Sequence, residues 1–181
     1  MRSLRLALFL YLLPAAAFAA EPSVESLSAA AANGKVSVHF ALASGFDRPE
    51  TVQALQSGIP TAFNYVVEIY RDRPNWFDEG IGRSHIEVIA TFNSVTREYL
   101  MNYRRDRRLV RSETFTDLST LEKRMTTIDE PDLFDIGARP PYKLRVRVKA
   151  DFMRDYLLYF IPREMSTRWR SVRVIAPEAK P

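Results

Sequence analysis

Apolar and polar residues alternate with period two along most of the chain, the spacing of strands with one buried face. Lys35–Leu42 places Val36, Val38, Phe40 and Leu42 on one side. Thr61–Arg73 does the same with Phe63, Tyr65, Val67 and Ile69, and His85–Phe92 with Ile86, Val88, Ala90 and Phe92. Arg97–Tyr103 and Leu109–Phe115 read as a hairpin with its tip at Arg105-Asp106-Arg107. Tyr142–Phe152 is the cleanest alternation, with Tyr142, Leu144, Val146, Val148, Ala150 and Phe152 opposite Lys143, Arg145, Arg147, Lys149 and Asp151. Val24–Ala32 is a strand of small residues joined to the next by Asn33-Gly34, a turn pair that tolerates positive φ. Leu157–Ile161 is a short apolar run ended by Pro162, and Thr167–Ile175 is a last strand.

Two segments carry helix signals instead. Asp47-Arg48-Pro49-Glu50 offers a cap and a first-turn proline, and Ser57-Gly58 with Pro60 stops the helix. Ser119-Thr120-Leu121-Glu122 reads as a capping box for a second helix with Leu121, Met125 and Ile128 inward. The pattern therefore predicts a mainly β chain: an antiparallel sandwich or partly closed barrel of about eight strands with two short helices.

The amino terminus departs from this pattern. Arg2 and Arg5 precede the apolar run Leu6–Leu13, Pro14 breaks it, and Ala17-Phe18-Ala19 is a small-x-small site. That layout is a secretory signal peptide, and Leu6–Ala20 is too short to span a bilayer. The reading is cleavage near Ala19, a single β-rich domain over residues 20–175 and a frayed tail over 176–181. The destination is outside the inner membrane, in the periplasm, with no transmembrane segment in the mature chain. Without the two leader arginines the net charge falls from +4 to +2, which argues for no nucleic-acid partner.

The 181 residues contain no Cys and two His. Thiol chemistry, Cys-ligated metals and disulfides are excluded, so stability must come from the core. No catalytic residue, metal ligand or cofactor is assigned. His39 and His85 both fall in strands. The acids at Asp78-Glu79 and at Asp129, Glu130, Asp132 and Asp135 read as solvated loop carboxylates, and the latter lack the glycine and spacing of a calcium loop.

The most informative pattern is Lys143, Arg145, Arg147 and Lys149, four cations that a strand puts on one face. Either acids on neighbouring strands compensate them (Glu68, Glu87 and Glu98 are the candidates), or they dock an acidic protein surface or anionic membrane. Arg104, Arg105, Arg107, Arg108 and Arg111 add to the positive inventory at the hairpin tip. Arg71, Arg73 and Trp76 set cations beside an aromatic at a strand end, where Trp76 and Phe77 are expected to plug the mouth of the β body. The leading expectation is a non-catalytic exported module that docks an envelope protein or anionic surface. The alternative is a carrier with an apolar cavity lined by Phe40, Phe63, Tyr65, Phe92, Tyr99, Phe152 and Phe160.

FDRPETVQALQSGIPTAFNY, VEIYRDRPNWFDE, VTREYLMNY and a late FIP followed by Trp169 together resemble the bacterial family DUF4390. The most specific pieces are Ser57-Gly58-Ile59-Pro60, Arg71-Asp72-Arg73 with Trp76, and Arg97-Glu98-Tyr99. The resemblance runs over most of the mature chain, from about Leu27 to Val174. It implies an exported β-rich domain with no established activity.

Overall fold

The computed structural model describes residues 21–73, 77–138, 143–157 and 161–176. The expected leader, Trp76, Phe160 and all but the first residue of the expected tail lie outside these residues. Ten strands and two helices follow in the order β1 (Ser23–Ala32), β2 (Lys35–Ala43), α1 (Pro49–Gln56), β3 (Thr61–Arg71), β4 (Glu79–Asn93), β5 (Glu98–Arg105), β6 (Arg108–Phe115), α2 (Leu118–Thr126), β7 (Thr127–Asp135), β8 (Leu144–Leu157), β9 (Ile161–Ser166) and β10 (Arg170–Arg173).

Among the described residues the strands form two antiparallel sheets and no closed barrel. A small sheet has the order β1-β2-β7, and a large one the order β10-β8-β3-β4-β5-β6 with β9 on β8. Alternation explains how they stack. Val36, Val38, Phe40 and Leu42 of β2 are buried on one side, and Phe63, Tyr65, Val67 and Ile69 of β3 on the facing side. Phe40 meets Tyr65 edge to face across the layers at 5.2 Å, a favoured aromatic geometry. The Tyr65 hydroxyl donates to the Met125 carbonyl at 2.9 Å, which ties the end of α2 to the large sheet. Leu121 and Met125 of α2 are buried in the same core.

The β1–β2 hairpin turns where Asn33-Gly34 predicts, with φ of 52° and 76°. A Cβ on Gly34 would lie 3.1 Å from the Gly137 carbonyl oxygen, so glycine is required there by conformation and by space. Ile136 and Gly137 both donate backbone hydrogen bonds to the Gly34 carbonyl, which pins the end of β7 to this turn.

The sandwich is laced shut at its β1 side. Ala31 N–H donates to the Ile175 carbonyl at 2.8 Å, and Ile175 N–H to the Ala29 carbonyl at 2.9 Å. The chain beyond β10 thus covers the open edge of the first strand, where the small sheet would otherwise expose unpaired backbone.

The expected mainly β antiparallel sandwich with two short helices is found, with ten strands among the described residues where about eight were expected. Other expectations are corrected. Asp129, Glu130, Asp132 and Asp135, expected to be loop acids, and Ile128, expected in the second helix, all lie on strand β7 (Thr127–Asp135), which pairs with β2. β7 tolerates Pro131 because it is the edge of its sheet, where a missing N–H costs no ladder bond. An irregularity opposite Val36–Val38 absorbs the extra residues, and Asp132 takes a φ of 53°. β4 begins at Glu79, six residues ahead of the expected start. The helix caps also move. Asp117, not Ser119, accepts from the Thr120 N–H at 2.8 Å, and α1 starts after Arg48 with no side-chain cap. Phe77, expected as a plug, is 90% exposed.

Candidate functional site

The outer face of the large sheet carries the charged stripe. Strand register builds it row by row. Ser171, Arg147, Glu68 and Arg83 stand side by side on β10, β8, β3 and β4. The row beside it holds Arg173, Arg145, Tyr70 and Gly80, and the one on the other side Lys149, Val66 and His85. A further row holds Asp151, Asn64, Glu87 and Arg104.

Glu68 is the centre of this face. Its side chain is only 10% exposed. Arg147 Nε donates to one carboxylate oxygen at 2.6 Å, and Arg83 donates to the other through Nε at 2.6 Å and through Nη2. Burial pulls the Glu68 carboxyl up, but the two guanidiniums outweigh it and hold its pKa below the ordinary value of 4.5. The other stripe cations are paired as well. Arg145 bonds Asp72 at 3.2 Å and Lys149 bonds Asp151 at 2.9 Å. Of the expected compensators Glu68 serves Arg147 of the stripe, and Glu87 pairs instead with Arg104 at 3.2 Å. Lys143 is exposed and sits just ahead of β8 rather than within it.

A depressed carboxyl pKa has a defined consequence for stability. The contribution of Glu68 is fully present above the unfolded value and is lost as pH falls through the lower folded value. Wild-type protein should therefore lose more thermal stability between pH 5 and pH 3 than the Glu68→Gln variant does. Thermal melts at matched ionic strength check this, and equal slopes would refute the role assigned to Glu68.

Two aromatic rings complete the group. The Arg147 guanidinium lies 5.3 Å from the Tyr70 ring and 4.7 Å from the Trp169 ring, and Lys149 Nζ lies 5.8 Å from Trp169. The Tyr70 hydroxyl is 3.1 Å from Ser171 Oγ. Trp169 is 41% exposed. It is held over β8 by Thr167, whose N–H donates to the Ala150 carbonyl while its hydroxyl accepts from the Ala150 N–H. Beside these residues runs an open groove of about 450 Å³, lined by Glu68, Tyr70, Asp78, Gly80, Ile81, Arg83 and Arg147.

Arg71 and Arg73, the other expected site residues among those described, fall elsewhere. Arg71 and Arg73 close together on Glu79, Arg71 at 3.4 Å, and form a group apart from the stripe. Ser57 is the C-cap of α1. His39 lies on β2, 3.9 Å from Asp129, and His85 on the outer face of β4. Arg83 and Trp169 were not singled out for this site from the sequence. A tryptophan bounded by arginines just before a strand is the signal that points to the second.

Glu130, one of the carboxylates expected to be solvated, is 3% exposed. It accepts from the Tyr103 hydroxyl at 2.5 Å and from Arg105 at 2.7 Å, linking β7 to β5 across the sandwich. Burial first, then the Glu130 hydrogen bond, pushes the Tyr103 phenol up. Among the described residues no group of three or more His, Asp or Glu could hold a metal ion. No helix there is long and apolar enough to cross a membrane.

No curated protein and no solved structure matches the chain significantly. The profile of DUF4390, a domain of unknown function, matches residues 19–157, and the chain belongs to this family.

Proposed function

We propose that the protein is an exported, non-catalytic interaction module that docks an acidic protein surface through the outer face of its large sheet. The observation that supports this reading is a cluster of cations held beside two aromatic rings on that face. Arg83, Arg104, Arg145, Arg147, Lys149 and Arg173 stand there against Glu68, Glu87, Glu98, Asp151 and Asp72, an excess of one positive charge. Pairing within the sheet fixes the arginine side chains in place, so less rotamer freedom is lost on binding. Trp169 and Tyr70 supply rigid aromatic area beside the cations, the residue types that dominate binding energy at interfaces.

The carrier reading gains less support. Phe40 packs on Tyr65, Phe63 on Phe46 at 5.1 Å, and Phe92 on Tyr99 at 4.7 Å, so the inward rings are spent on one another.

The test must spare Arg147, because charge reversal there would set a carboxylate against Glu68. Arg145→Gln, Lys149→Gln and Arg173→Gln together leave three cations against five carboxylates on the face, which reverses its net charge. Cross-linking in the native host should identify the partner, and the triple variant should bind it at least tenfold more weakly at low salt. Wild-type binding should also weaken as salt rises. Unchanged affinity of the triple variant would refute the docking face.

A further inference from the structure

We infer that β6 is a self-association edge, through which a second copy of this chain extends the large sheet across a two-fold axis at Ser112. This rests on observations separate from the outer-face reading. β6 stands last in the strand order and, among the described residues, pairs only with β5. One side of its backbone therefore carries hydrogen-bonding groups that no described strand uses, and such an edge templates strand addition.

The side chains do little to block this. β6 contains no proline, and Ser112 and Thr114 on its outer face are short and uncharged. Leu109 and Val110 are 59% and 49% exposed, and Leu100 beside Thr114 is 46% exposed.

The occupant follows from self-complementarity. In an antiparallel pair, directly opposed residues both point towards or both away from each other, so a two-fold axis must fall on a residue. An axis at Arg111 opposes two arginines, and one at Glu113 opposes two glutamates. An axis at Ser112 opposes Arg111 to Glu113 twice and lies clear of Val110, the extra residue of β6 opposite Tyr103 and Arg104, where simple alternation along β6 ends. Only this register of the three brings opposite charges together, and opposed unlike charges stabilise a strand pair while like charges destabilise it. Arg111 and Glu113 already lie 3.2 Å apart within one copy, with Arg124 on Glu113 at 2.9 Å. Pairing therefore joins two such groups into an alternating network. The interface is isologous and closes at two copies.

Ser112 is exposed and its side chain makes one exposed hydrogen bond, to Asn102 Oδ1 at 2.6 Å, so changes there are expected to leave the monomer fold in place. Light scattering over a concentration series should find wild-type dimers, and both Ser112→Lys and Ser112→Glu should be monomeric over the same range. Mixed one to one, the two variants should form a heterodimer, because the axis then opposes lysine to glutamate. Misfolding cannot produce that rescue. A wild-type protein that stays monomeric overturns the proposal. Variants that both remain dimeric, or that stay monomeric when mixed, overturn the register.

Discussion

Replacing Glu130 with alanine is expected to lower the free energy of unfolding by about 3 kcal/mol. The carboxylate is buried on β7 and holds two groups of β5 across the sandwich. Its loss leaves the fully buried Tyr103 hydroxyl without an acceptor, and an unsatisfied buried donor costs about 1–3 kcal/mol. Arg105 recovers part of its loss from water, since its side chain is 39% exposed. Glu130→Gln keeps the shape and one acceptor and should cost about 1 kcal/mol. Adding Tyr103→Phe to Glu130→Ala should cost less than the two single changes summed, because the phenylalanine no longer needs a partner. Urea denaturation of the four proteins closes this cycle. Strict additivity would mean that the contact between Tyr103 and Glu130 carries no coupling.

Phe40→Ala is expected to be larger still, about 3–5 kcal/mol. Phe40 is fully buried and is the ring that β2 sets against Tyr65 of the large sheet. Truncation opens a void between layers that meet by side-chain interdigitation, and the surrounding β backbone can only partly collapse into it. Phe40→Leu, which keeps most of the volume, should cost about 1–1.5 kcal/mol. Both should shift the denaturation midpoint without changing the slope. A loss below about 1 kcal/mol for Phe40→Ala would place this ring outside the inter-sheet core.

The strands that were legible in the sequence are those with one buried face. β2, β3 and β8 alternate because water lies on one side and the other sheet on the other. β7 was hidden for the opposite reason. Its acids and Pro131 follow loop statistics, and what makes it a strand is an unoccupied edge of β2, a tertiary fact. Glu130 was misread with it, since no local pattern tells that an aspartate-rich stretch delivers one carboxylate to a tyrosine on β5.

The candidate face was half legible. Period two put Arg145, Arg147 and Lys149 together, and Glu68 was among the named compensators. Its second guanidinium, Arg83, and the ring of Trp169 depend on which strands neighbour β3 and β8. Strand order is set by long-range pairing, which alternation alone does not encode.

The lacing of Ile175 onto Ala29 and Ala31 bears on how the protein is made. The hairpin of β1 and β2 is among the first parts to leave the ribosome, yet the bonds that finish its outer edge come from residues synthesised long afterwards. That hairpin must wait with its rim unsealed, and contacts so distant in sequence form slowly. A nascent chain arrested before residue 174 would therefore hold a sandwich that cannot latch.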